Sequence, residues 1–435
     1  MRWTDGTTLQ YIAAVSGFSE YRPNRRFQPY VAISPDGIRV AYSDDRSGQF
    51  NLVVSRLDGG PDEELTHYDD ITVREAVWTP DGQRLFFVAD RNGDEQYQLY
   101  VVDAVGGTID ALTADDSVQY QLGTVSPDGR YLSFVANDRS ESDQDILVRD
   151  LESGATTRIY AAGGMTYPAA WAPDSRRLIG VRYFGPRLGV LYLLDLNGEP
   201  QQILPPEGEP EAFIEPGPWL PDGGGFLLRT DADRDFVGVA TYDLNSCDLR
   251  DVITPDWDVE HVGLAADGAT VVWIVNENGT SQLHAAEYDA SGCGAEVVTP
   301  TLPAGPVGSF SLDDAGTTAA VLLSTGLRPT NVAVAVFPTQ SARWITHAWA
   351  KAKGVTEPTL VQVQAYDGRT IPAWLYRPAG DGPHPIVLSV HGGPEGQEQP
   401  GYNYGGLYHY LLPQGSVSSH RTSGVRPATA ASTSA

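Results

Sequence analysis

Ser126-Pro127-Asp128-Gly129, followed after Arg130 by Tyr131-Leu132-Ser133-Phe134-Val135, reads as a tight turn running into a strand. Proline fixes φ, aspartate can hydrogen-bond its own backbone, and glycine accepts φ > 0. The unit recurs as Ser34-Pro35-Asp36-Gly37, Thr79-Pro80-Asp81-Gly82, Ala172-Pro173-Asp174-Ser175 and Leu220-Pro221-Asp222-Gly223. Weaker copies are Ala265-Ala266-Asp267-Gly268 and Leu312-Asp313-Asp314-Ala315-Gly316. The final positions are 37, 82, 129, 175, 223, 268 and 316, spaced by 45, 47, 46, 48, 45 and 48 residues. A constant period of this length marks a repeat architecture.

Each repeat holds further strands. Arg84-Leu85-Phe86-Phe87-Val88 leads to the polar turn Asp90-Arg91-Asn92-Gly93-Asp94, and Gln98 to Val102 makes the next strand. Gly59-Gly60 with Leu65-Thr66, and Gly106-Gly107 with Leu112-Thr113, mark a further turn and strand. Four short strands per repeat, with no helical period, predict one blade of a β-propeller. Seven blades close a ring and hide the sheet edges. The repeated Asp36, Asp81, Asp128, Asp174 and Asp222 are therefore turn residues rather than a metal or acid–base set. Trp78, Trp171 and Trp219, just before their turns, are expected to pack blades together.

The chain carries 56 acidic and 29 basic residues, net −27, and Lys351 and Lys353 are its only lysines. Such a surface repels nucleic acid and anionic membranes, so neither is expected as a partner. Acidic, Arg-rich and nearly Lys-free composition resembles halophilic cytoplasmic proteins, whose self-repulsion is screened where the Debye length falls to roughly 3 Å. No apolar run reaches membrane-span length and no signal peptide is visible, so a cytoplasmic location is expected. Cys247 and Cys293 lie one repeat apart, at equivalent outer positions, and are read as free thiols. The eight histidines show no paired ligand spacing, so no metal or cofactor is expected.

The texture changes near residue 340. Arg343 to Val355 reads as a short helix or a linker. Thr359 to Tyr366 and Thr370 to Tyr376 form a hairpin around Asp367-Gly368. Pro385-Ile386-Val387-Leu388-Ser389-Val390 is an unbroken apolar run suited to a buried parallel strand. It ends in His391-Gly392-Gly393-Pro394, whose glycines could turn a backbone N–H towards a developing oxyanion.

The ordered set of S-P-D-G repeats, Tyr366-Asp367-Gly368, Ile371-Pro372, Tyr376-Arg377-Pro378 and Val390-His391-Gly392-Gly393-Pro394 resembles the prolyl oligopeptidase family of serine peptidases, especially its acylaminoacyl-peptidase-like branch. The resemblance implies a mainly β chain: an N-terminal segment (1–30), a seven-bladed propeller (31–340) and the N-terminal part of an α/β-hydrolase domain (341–415). It implies hydrolysis of short peptides, or release of acylated or dipeptide N-termini, through an acyl-enzyme. His391, Gly392 and Gly393 match the oxyanion loop, and His391 is not the base. No G-x-S-x-G occurs, and Ser416, Ser418 and Ser419 lack the strand–elbow–helix setting of a nucleophile. The triad is thus absent and the chain as given is expected to be inactive. The alternatives are a non-catalytic propeller that binds peptides or proteins, and an esterase of the same fold.

Residues 416–435 are poor in large apolar residues and read as a disordered tail. Shifting the codons of 418–429 by one base permits Leu-Ala-Pro-Asn-Val-Arg-Gly-Ser-Thr-Gly-Tyr-Gly, which the resemblance expects at this place. A frameshift near Ser416 to Ser418 is therefore expected, leaving a partial hydrolase sheet with a bare apolar edge.

Overall fold

The computed structural model describes residues 17–185, 188–206, 212–339, 342–351, 356–378, 380, 383–392, 396–414 and 417–421. Seven four-stranded antiparallel sheets follow one another along the chain, each built from consecutive strands. Blade 2 shows the pattern, with Ile71–Trp78, Arg84–Arg91, Gln98–Asp103 and Asp110–Ala111 paired in order. The first strands are Ala32–Ile33, Ile71–Trp78, Tyr120–Val125, Met165–Trp171, Ile214–Trp219, Val259–Leu264 and Val307–Leu312. Each touches the next, and the seventh touches the first, so they surround a common axis.

The turn chemistry is as the sequence reads. Gly129 sits at φ 74 and its N–H donates to Ser126 O at 2.8 Å. Asp128 Oδ1 accepts from Ser126 Oγ at 2.6 Å and from Arg130 N at 3.0 Å. In blade 4 the glycine position is Ser175, held at φ 56. Its hydroxyl accepts the Asp128 N–H of the preceding blade at 3.0 Å, a bond that offsets the strained backbone.

Blades are joined by the tryptophans. Trp78, Trp171 and Trp219 are buried, and each indole N–H donates to a carbonyl of the preceding blade: Ala32 (3.0 Å), Thr124 (3.0 Å) and Ala170 (2.9 Å). Arg39 and Arg177 reach forward in the same way, over the rings of Trp78 and Trp219 at 4.8 and 5.3 Å. The ring closes by packing of whole blades. Val31 N and Ile33 N donate to the Ser309 and Ser311 hydroxyls, both at 3.1 Å, and Val40 and Tyr42 share a core with Ala320 and Val332.

The outer strand of blade 7 is Ala342–Trp344, so the start of the 343–355 stretch completes the propeller and is not helical. Cys247 and Cys293 are free and exposed. Among the described residues no helix is long and apolar enough to cross a membrane.

The second unit is a four-stranded sheet: β1 (Thr359–Gln364), β2 (Thr370–Tyr376), β3 (Ile386–Val390) and β4 (Val417–Arg421), with a short helix α1 (Leu407–Leu411) before β4. The spatial order is β1-β2-β4-β3, and β3 and β4 run parallel. Two expectations are corrected here. Residues 417–421 are a strand, although their composition suggested a disordered tail; backbone pairing with both β2 and β3 needs no large side chain. Residues 422–435 lie outside the described residues. The apolar β3 is parallel as expected but not buried. It forms the sheet edge, and Ile386, Leu388 and Val390 are 68, 64 and 61 % exposed.

Candidate functional site

The site builds from the end of β3. Val390 is its last residue, and His391 and Gly392 leave the sheet there. Gly392 is exposed, and a side chain on it would meet nothing within 4 Å, so packing does not demand glycine. Gly393 and Pro394 lie outside the described residues.

The chain then crosses to the propeller. Gln399 Nε2 donates to Glu260 Oε1 at 3.1 Å, and Asn276 Nδ2 donates to Gln397 Oε1 at 2.7 Å. Tyr402 N–H donates to Ser324 Oγ at 2.9 Å, and Tyr402 hydroxyl to Tyr21 O at 2.8 Å. Beneath the crossing, Trp374 lies against Gly279, and Pro358 against Gly326. Gly279 and Gly326 lie at the turns between second and third strands of blades 6 and 7, at the opposite end of those strands from the turns that contain Gly268 and Gly316. The N-terminal segment joins the same seam, with Phe18 and Tyr21 edge-on to Tyr410 at 5.4 and 5.7 Å.

Two carboxylates organise this crossing. Glu260 is skipped in the pairing of the first strand of blade 6, where the register shifts between Val259 and His261. Such a bulge re-aims a side chain. Burial raises its pKa, and donors from Ser281 (2.8 Å), Asn276 (2.9 Å) and Gln399 oppose the rise. Glu398 is buried below His391, and burial raises its pKa too. Asn403 Nδ2 donates to it at 3.0 Å. Tyr408 hydroxyl lies 3.3 Å from Glu398 Oε1 and 3.1 Å from Ser389 Oγ on β3. The Tyr408 hydroxyl can donate to either, and the carboxylate is the stronger acceptor. Beside Glu260, Arg229 is held by the Glu215 carboxylate and donates to Val259 O at 2.9 Å.

The loop after β3 is thus fixed to blade 6 by side-chain amides and from below by Glu398. Sequence reading named His391, Gly392 and Gly393 as the oxyanion loop and assigned no role to Glu260, Gln397, Glu398, Gln399 or Tyr408. The run Gln397-Glu398-Gln399 was the available signal: three hydrogen-bonding side chains directly after the glycine loop. No cluster suited to a metal exists among the described residues.

Residues 25–211 match the TolB beta propeller domain. A 77-residue stretch, 17 % of the chain, is 42 % identical to tricorn protease homolog 1 of Streptomyces coelicolor and covers 7 % of that protein. Among solved structures, a prolyl endopeptidase superposes with a TM-score of 0.73 at 14 % identity over 96 % of this chain. A puromycin-hydrolyzing peptidase of Mycobacterium tuberculosis gives 0.73 at 17 % identity, covering 94 % of this chain and 67 % of that one. Prolyl oligopeptidase B of Galerina marginata gives 0.73 at 15 % identity, covering 95 and 63 %. The chain spans 63 % of the length of the prolyl endopeptidase it matches. It is a seven-bladed propeller protein with the fold of the prolyl oligopeptidase-type peptidases.

Proposed function

We propose that this chain is the propeller and first sheet strands of a serine-type peptidase that acts on short peptides, including acylated or dipeptide N-termini, through an acyl-enzyme. His391, Gly392 and Gly393 are its oxyanion loop. One observation carries the reading: the glycine loop leaves the C-terminal end of a parallel strand, in the order β1-β2-β4-β3, and its continuation is bonded to the propeller. In open α/β sheets that end of the strands is where ligands bind.

The 435 residues contain no G-x-S-x-G, and Ser418 and Ser419 stand in β4, not on an elbow. Among the described residues no serine stands on a strand–elbow–helix turn, so turnover is not expected from this chain, while peptide binding at the propeller face is. Hydrogen exchange tests both parts. A hexapeptide should protect residues 391–402 and 260–281, and a fluorophosphonate probe should label no serine. Loss of protection removes the peptide site, and labelling removes the inactivity.

Residues 370–435 hold three basic and three acidic residues, so the whole net charge of −27 lies before them. We infer a halophilic, cytoplasmic setting from this. Thermal midpoints should then rise steadily from ~0.1 M to ~3 M KCl as screening shortens. A midpoint independent of salt contradicts that setting.

A further inference from the structure

We propose that the axial channel of the propeller holds a binding site for a cationic ammonium group at Glu75, which favours peptides and amines with a free –NH₃⁺ over their acylated counterparts. The peptide part of this assignment rests on the reading above. Glu75 lies in the first strand of blade 2, one of the seven that surround the axis. Val73, Ala76 and Trp78 of that strand are buried, whereas Glu75 is exposed. A residue in the middle of an innermost strand meets solvent through the channel.

Glu75 has no hydrogen bond or ion pair with the described residues. Arg74, its neighbour in sequence, is skipped in the strand pairing and turned away to Asp90, with contacts of 2.5 and 2.9 Å. Surrounding protein pushes the Glu75 carboxyl up to about 7 through lost hydration alone, with no charged group contributing. An open but poorly hydrated carboxylate with no countercharge is the signature of a narrow channel rather than a free surface.

A second group points the same way. The Tyr30 hydroxyl is buried and makes no hydrogen bond of good geometry, and Glu75 is close enough to raise its pKa. The Ser43 hydroxyl adjoins Tyr30 and is equally unpaired. This corner offers a carboxylate and two hydroxyls, and the nearest cations, Arg25 and Arg46, are held by Asp44 at 3.1 and 2.8 Å rather than by Glu75. An anion is repelled there. A divalent metal would need several oxygen ligands around it, and one carboxylate does not supply them. A primary ammonium brings three donors and the missing positive charge, at little geometric demand.

The test is calorimetric titration of the full chain, at one fixed salt concentration, with trialanine, N-acetyl-trialanine and n-butylammonium. Trialanine should bind roughly tenfold more tightly than its acetylated form, and Glu75→Gln should remove that difference, as expected for a charge-assisted bond. Butylammonium binding should fall with the same substitution. Asp58→Asn, which removes an exposed carboxylate, should leave all three affinities unchanged. Equal binding of free and acetylated peptide, insensitive to Glu75→Gln, overturns the ammonium site and leaves the peptide reading standing. Butylammonium binding that depends on Glu75, with neither peptide bound, keeps the ammonium site and removes the peptide reading. Equal losses in Glu75→Gln and Asp58→Asn reduce the effect to general charge and overturn the site.

Discussion

Trp171→Ala lowers the unfolding free energy by about 3–5 kcal/mol, and Trp171→Phe by about 1–2 kcal/mol. The indole is 6 % exposed and lies between blades 3 and 4, in a core with Ile146, Val148, Leu178 and Leu194. It stacks on Tyr131 at 6.0 Å with 22° between the rings. Alanine leaves a cavity that two twisted sheets cannot close, because each is fixed by its own hydrogen-bond ladder. Phenylalanine restores most of the packing but strands the Thr124 carbonyl, which accepts the indole N–H at 3.0 Å. Urea unfolding followed by intrinsic fluorescence separates the two variants. Equal losses would mean that the hydrogen bond contributes nothing, and a loss under 1 kcal/mol for Trp171→Ala would mean that blades 3 and 4 are not coupled through this ring.

The propeller was legible because its information is local and repeated. A Pro-Asp-Gly turn specifies a backbone shape over four residues, and four such turns with three variants of them, spaced by 45 to 48 residues, leave little else to build. The tryptophan role was legible for the same reason, since its position relative to the turn recurs. The second unit was harder. The apolar run 385–390 reads as buried because composition records what a strand can pack against, not what the described residues provide. Val417 to Arg421 reads as tail because a strand held by backbone bonds on both edges leaves a weak mark on composition. Glu260 and Gln399 are 139 residues apart, and nothing local announces that pair. Glu75 is one acid among 56 until the ring places it beside the axis.

His409→Phe removes a pH dependence of about 3 kcal/mol between pH 6.5 and pH 4. His409 is 1 % exposed on α1, stacked on Tyr402 at 4.7 Å and edge-on to Tyr376 at 5.6 Å. Neither ring nitrogen has a hydrogen bond of good geometry. Burial lowers its pKa from 6.5 to about 4, and the Gly326 backbone opposes this only in part. The folded protein therefore holds the ring neutral, while the unfolded chain takes up the proton near pH 6.5. The stabilisation is complete above that value and is lost as pH falls through 4. The sign is opposite for Glu260 and Glu398, whose raised pKa values favour the folded state as pH falls. Those carboxyls, and the lowered His261, titrate in both proteins, so the difference between wild type and His409→Phe isolates His409. Phenylalanine keeps an aromatic ring on Tyr402, whose hydroxyl and N–H tie the N-terminal segment and blade 7 together. Urea midpoints at pH 7.5 and pH 4.5 should then diverge, the variant losing less. Parallel losses would show that the seam opens before the ring is protonated, which would make contact between sheet and propeller weaker than the blades themselves.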